Sequence, residues 1–222
     1  MEKITFKHNA FLIFLMPILF FQVSCKKGDS SPVVVVLPGV TIGSQVWTIN
    51  NLDVKIYRNG DAIPQVTTPA TWAALTTGAW CWYNNDSATN AAKYGKLYNW
   101  YAVNDARGLA PSGYHIPTDV EWTKLTDYLG GLTVAGGKIR TTSGWTAPNT
   151  GATNSSGFTG LPGGFRDSGG NFGLNGGLTA WWSSTEASTI NAWYRDVGYT
   201  NIIVGRASDI KISGFSVRCV RD

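Results

Sequence analysis

Apolar and polar positions change texture several times along the chain. Ala10 to Phe21 is a nearly unbroken apolar run behind a short head carrying Lys3 and Lys7. It has the length of a signal-peptide core and is too short to span a bilayer. From Val40 to Tyr57, short apolar pieces alternate with turn residues. They predict a strand or tight hairpin around Gly43-Ser44, then an extended piece from Leu52 that Asn59-Gly60 ends. Pro69 precedes a short helix over 71–75. The clearest helical period is that of Trp122, Leu125 and Leu129, which share one face of a helix predicted over 119–129. Thr118 and Glu121 have capping-box spacing at its start, and Gly130-Gly131 ends it.

Beyond Leu132 glycine pairs interrupt every apolar piece, at Gly136-Gly137, Gly163-Gly164, Gly169-Gly170 and Gly176-Gly177. This predicts a long loop-rich insertion holding a few short strands. Four strand-like runs follow, over 180–184, 192–197, 202–206 and 214–220. The predicted order is helices, then irregular loops, then a terminal antiparallel sheet. No repeat of solenoid or propeller period occurs.

Composition agrees with short strands and long loops: charged residues are 14%, glycines number 26 and tryptophans 10. Val23-Ser24-Cys25 follows the apolar run, and a small residue directly before a cysteine at this place resembles a bacterial lipobox, with Gln22 an imperfect element of it. Export, cleavage before Cys25 and its acylation are the expectation, with an ordinary signal peptide as the alternative. Residues 1–24 then form a lipoprotein signal peptide and 25–39 a polar, Gly-, Ser- and Pro-containing tether. Residues 40–222 are long enough for one domain with a real core. Lys3, Lys7 and Glu2 leave with the leader, which takes the net charge from +4 to +3. The basic residues are scattered, so nucleic acid is not an expected partner. The expected partners are the membrane, through the lipid anchor, and a glycan or protein ligand.

With Cys25 acylated, Cys81 and Cys219 are the cysteines that remain. Both lie in strand-like contexts in a chain expected outside the cytoplasm. A Cys81–Cys219 disulfide is therefore expected, with two buried free thiols as the alternative. Alternation puts Phe215, Val217 and Cys219 on one apolar strand face.

Several segments in order resemble one family. They are 42–47 (IGSQVW), 80–86 (WCWYNND), 95–101 (GKLYNWY), 113–122 (GYHIPTDVEW), 161–166 (LPGGFR), 182–185 (WSST) and 216–222 (SVRCVRD). Together they are similar to the Fibrobacter succinogenes major paralogous domain, a family of exported bacterial proteins. That family resembles the C-type-lectin-like fold of formylglycine-generating enzymes and of diversity-generating-retroelement receptor proteins. The resemblance implies an α+β domain of C-type-lectin-like fold, with two helices, small antiparallel sheets and a long loop-rich insertion. It also implies a source in Bacteroidota or a related phylum, and a place at the bacterial outer membrane or cell surface. It carries no activity.

The residues point to binding more than to catalysis. A Ser-His-Asp triad needs an imidazole, and the single His after the leader, His115, immediately precedes the capped helix, where a structural role is expected. A cysteine enzyme of the formylglycine type needs a depressed thiol pKa, for which the aromatic neighbours of Cys81 provide nothing. Asp53, Asp61, Asp86, Asp105, Asp167, Glu186, Asp196 and Asp209 are available for carboxylate-pair chemistry, but none has a diagnostic neighbourhood. Asn84, Asp86, Asp167 and Asn171 offer hard oxygens in loops, which makes calcium the one candidate cofactor. The terminal strands carry aromatic and Arg side chains, so Trp193, Tyr194, Arg195, Tyr199 and Arg206 are the ligand-binding candidates. Alternation puts Trp193, Arg195 and Val197 on one side of their strand and Tyr194 with Asp196 on the other. The expectation is a non-catalytic envelope lipoprotein that recognises a glycan or partner protein. A carbohydrate-active enzyme using two carboxylates, or a structural part of a surface assembly, is the alternative.

Overall fold

The computed structural model describes residues 36–222. Cys25, the expected leader and nearly all of the tether lie outside the described residues. In chain order come β1 (Gly39–Ile42), β2 (Gln45–Thr48), α1 (Pro69–Ala73), β3 (Trp80–Cys81), α2 (Ser87–Tyr94), β4 (Leu97–Tyr98), α3 (Trp100–Val103), β5 (Tyr114–His115), α4 (Asp119–Tyr128) and α5 (Leu132–Ile139). They are followed by β6 (Phe165–Arg166), β7 (Phe172–Gly173), β8 (Leu178–Glu186), β9 (Asn191–Gly198), β10 (Val204–Ile210) and β11 (Val220–Arg221). The architecture is mixed α and β, with small antiparallel sheets.

The predicted N-terminal hairpin is β1–β2, and the chain ends beside it: the first sheet runs β1-β2-β11-β5. This corrects the expected terminal sheet of four strands. Strands β8, β9 and β10 form a three-stranded sheet of their own. The fourth run leaves it and threads the domain through bridges Arg166↔Gly214, Tyr98↔Phe215 and Trp181↔Ser216, reaching β2 only at Val220. Phe215, Val217 and Cys219 are buried in one cluster along this path, as their alternation predicts.

Helix α4 carries the predicted capping box. The Thr118 hydroxyl accepts from Glu121 N, and Glu121 Oε2 accepts from Thr118 N at 2.8 Å. Its apolar face buries Trp122, Leu125 and Leu129 against Trp47, Phe158 and Trp181. Trp47 and Trp122 have ring centroids 4.7 Å apart. Each of these side chains contributes about 2–3 kcal/mol by leaving water.

Two helices were expected and five are present among the described residues. Gly136 and Gly137, expected to interrupt the chain, lie inside α5. They admit backbone: a Cβ on Gly136 would stand 2.5 Å from Ile203 O, and one on Gly137 would stand 2.4 Å from Gly151 O. Helix α2 follows the Asn84-Asn85-Asp86 loop, where the Asp86 side chain accepts from Thr89 N and serves as N-cap.

Three fully buried arginines hold the loop-rich region. Arg140 donates to the carbonyls of Gly198, Thr150 and Asn201; Arg166 to those of Val66, Thr67 and Gly170; Arg218 to those of Thr48, Phe158 and Thr159. A guanidinium suits this role because its donors form a rigid fork that collects several loop carbonyls at once. Burial pulls the Arg218 guanidinium down to about 9.

The cysteines correct a second expectation. Cys81 and Cys219 are free thiols in different apolar clusters. Strand register sets Cys81 opposite Leu97, while Cys219 N donates to the Thr48 hydroxyl beside β2. Burial pushes both thiols up to about 12, so both are protonated and inert at neutral pH.

Candidate functional site

The two faces of β9 differ in kind. On one face, Trp193, Arg195 and Val197 point toward α4. Arg195 is fully buried; its Nη1 donates to Asp119 Oδ1 at 2.6 Å and its Nη2 to Asp119 O and Thr123 Oγ1. Arg206, opposite Arg195 on β10, donates to Asp119 Oδ2 at 2.8 Å. Its guanidinium lies 3.8 Å over the Trp193 ring. Burial opposes ionisation of Asp119, but the hydrogen bonds from Arg206 and Arg195 outweigh it and hold the carboxyl below its usual range. Three of the five ligand-binding candidates, Trp193, Arg195 and Arg206, are therefore committed to fastening the sheet to the first turn of α4. Tyr199 lies across Gly177, in the turn after β9.

Of the five, Tyr194 lines a cleft. The cleft has a volume of about 110 Å³ and is bounded by Tyr194 and Asp196 of β9, Asp209 of β10, and Phe165. Its floor is Ala180 and Phe215. The Tyr194 and Phe215 rings lie 4.9 Å apart, and Trp182 packs beneath Phe215 at 4.3 Å. Trp182 itself is core, with Nε1 donating to Tyr98 O.

Cross-strand register explains why the carboxylates flank the tyrosine. Asp196 faces Gly205, Tyr194 faces Ala207, and Asp209 faces Ala192. All six share one side of the sheet. A Cβ on Gly205 would stand 2.1 Å from Asp196 Oδ1, so a side chain here would displace that carboxylate. Burial raises the carboxyl of Asp196 above its usual range. It raises Asp209 too, against a hydrogen bond from Ile210 N, with nearby Asp167 adding to the rise. The Tyr194 phenol is also raised, by burial first and then by Asp196 and Asp209. A half-enclosed acidic cleft with aromatic walls can accept hydrogen bonds and stack against a flat or cationic group.

The remaining candidates lie elsewhere and are not brought together. The Asp86 carboxylate caps α2, and Asn84 holds a left-handed turn before it. Asp167 Oδ1 accepts from Asn171 N at 2.8 Å, closing its own loop. Among the described residues, no group of three or more His, Cys, Asp or Glu side chains is placed to hold a metal ion. His115 bridges two carboxylates: Nδ1 meets Asp222 Oδ1 at 2.7 Å and Nε2 meets Glu121 Oε1 at 2.8 Å, which ties Asp222 to the α4 capping box.

The profile of the Fibrobacter succinogenes major domain matches residues 40–221. The chain belongs to this family. No curated protein matches the chain. In this Fibrobacter succinogenes major domain, the segments that carried the resemblance are spent largely on the scaffold: Trp47, Trp122, Trp182, Arg166 and Arg218 are all fully buried. Tyr194, Asp196 and Asp209 lie outside those segments. Period-two alternation already places Asp196 beside Tyr194. The presence of Asp209 depends on the β9–β10 register, which no local signal states.

Proposed function

We propose that this protein is a non-catalytic recognition module of the bacterial cell envelope, anchored by a lipid on Cys25, that takes a sugar unit of a glycan in the Tyr194 cleft. The observation that carries the proposal is the cleft itself. A small concavity with an aromatic floor and carboxylate acceptors matches the way a pyranose is held, by ring stacking and by hydroxyl hydrogen bonds. Its volume suits one compact group, whereas a protein interface would need a broad apolar face. The exposed large apolar side chains, such as Ile56, Tyr128 and Ile190, come from segments far apart in the chain. The lectin-like resemblance agrees with this use. The pairing of β11 with the N-terminal hairpin, and the loop-rich lobe before the last strands, support a C-type-lectin-like architecture.

One observation favours a second function. Asp196 and Asp209 share the cleft and both have raised carboxyl pKa values, as a general acid in glycoside hydrolysis requires. A glycan array read with the full-length chain, beside a polysaccharide turnover panel, separates the two. Binding without turnover, lost on Tyr194→Ala, is expected. Turnover that vanishes on Asp196→Asn would establish the enzyme instead. Labelling with a clickable fatty acid tests the anchor: incorporation is expected in wild type and not in Cys25→Ala.

A further inference from the structure

We infer that the group seated in this cleft is an organic ammonium, so that the preferred ligand is an amino sugar with a free, protonated amine. The inference rests on the cleft being the ligand seat and specifies the chemistry of what sits there.

Charge points to a cation. Asp196 and Asp209 flank Tyr194, and neither has an ion-pair partner among the described residues. The basic side chains nearby are engaged. Arg206 serves Asp119 on the opposite face of the sheet. Lys211 serves Glu186 and the Thr189 carbonyl. Arg166, next in sequence to Asp167, has its donors on the carbonyls of Gly170, Val66 and Thr67. A partly buried carboxylate without a compensating charge is unfavourable in the free protein. A ligand cation would supply that charge.

The walls of the cleft point the same way. The Tyr194 and Phe215 rings, 4.9 Å apart, form the aromatic side of the same space. Aromatic faces attract cations, ammonium groups included, most strongly when water is excluded. The same walls disfavour a calcium ion, which takes about six to eight oxygen ligands and would meet the apolar floor of Phe215 and Ala180. Two carboxylates, a phenol and aromatic faces suit a cation with an organic body.

The cleft also has room for such a group. About 110 Å³ holds a compact group and leaves the rest of a sugar in the open mouth. Gly205 lets the Asp196 carboxylate lie flat on β10, which keeps that room clear.

The experiment titrates the full-length chain, in detergent, with glucosamine, N-acetylglucosamine, glucose and Nα-acetyl-lysine amide, by calorimetry at neutral pH. Glucosamine is expected to bind about tenfold or more tightly than the two uncharged sugars, a difference of about 1.4 kcal/mol. Asp196→Asn and Asp209→Asn are each expected to erase that preference while remaining folded. The melting temperature reports folding independently. A carboxyl raised by burial destabilises the folded state once ionised, so each Asn variant is expected to melt at or above the wild-type temperature at neutral pH. Lowering the pH protonates Asp196 and Asp209, with Asp167 and the Tyr194 phenol the other titratable groups facing them, so the preference is expected to fade in acid. Equal binding of all three sugars would overturn the ammonium inference and leave the glycan seat standing. Binding of the lysine amide without glucosamine would support the ammonium and overturn the glycan. No binding by any probe would overturn both. A lower melting temperature in both Asn variants would show that the carboxylates have internal partners, and would overturn the charge argument.

Discussion

Strand β9 presents opposite electrostatics on its two faces. Toward α4, Arg195 and Arg206 share the Asp119 carboxylate, and Trp193 stacks on Arg206, so charge is matched inside the molecule. Toward the cleft, Asp196 and Asp209 stand on either side of Tyr194, with no Lys or Arg among the described residues that line it. The residues alternate along one strand, yet one set serves stability and the other costs it. A matched buried network is what a scaffold needs, and an unmatched one is tolerated where something else completes it. An arginine and an aromatic ring on a strand do not by themselves mark a binding face; the partner across the fold decides.

The largest test of this contrast is Asp119→Ala. It leaves Arg195 buried without its anion and releases the sheet from the first turn of α4. A loss of about 3–5 kcal/mol is expected in chemical denaturation. A loss under about 1 kcal/mol would show that the network is not the fastening proposed for it.

Gly205→Ala tests the other face. The added methyl would meet the Asp196 carboxylate, the far end of a side chain that can swing away. The expected result is a modest stability change, within about 1–3 kcal/mol, accompanied by loss of ligand binding in the array. Unchanged binding would mean that the position of Asp196 does not matter.

What the sequence disclosed depended on the range of each signal. Helix α4 was legible because its capping box and its apolar stripe lie within a dozen residues. Helix α5 was not, because Gly136-Gly137 reads locally as a breaker and its reason is the approach of the Ile202 and Ile203 carbonyls from far along the chain. Arg195 looked like a ligand residue because its partner Asp119 is 76 positions away. Tyr194 and Asp196 were placed on a common face by period two alone. Asp209 and Phe215 join them through register and through the crossing of the last segment, which alternation does not encode.

A smaller effect concerns His115, where the scaffold closes its own end. Burial lowers its pKa, but the hydrogen bonds it donates to the Asp222 and Glu121 carboxylates outweigh this and leave it raised above 6.5. The folded state therefore holds the imidazolium more tightly than the unfolded chain does. The resulting stabilisation is complete below the unfolded value near 6.5 and is lost as pH rises through the higher folded one. Because the ring is more than a third exposed, screening limits the effect to under about 1 kcal/mol. Wild type is expected to lose stability relative to His115→Gln between pH 6 and 8, measured by urea denaturation. Parallel curves would remove His115 from the account.

The smallest expected effect is none at all, and it separates this fold from one closed by a disulfide. Cys81 and Cys219 are buried, protonated and in different clusters. Reductant should leave the melting temperature unchanged, whereas removing a bridge across most of the domain would cost about 2–5 kcal/mol. Alkylation should be slow in the native protein and complete at both cysteines after denaturation without reductant. A reductant-dependent fall in melting temperature would restore the bridge and would require β3 and the last segment to approach each other. Closure of the domain then belongs to the β2–β11 pairing and to the buried arginines, with Arg218 joining Thr48 of β2 to Phe158 and Thr159 in the loop-rich region.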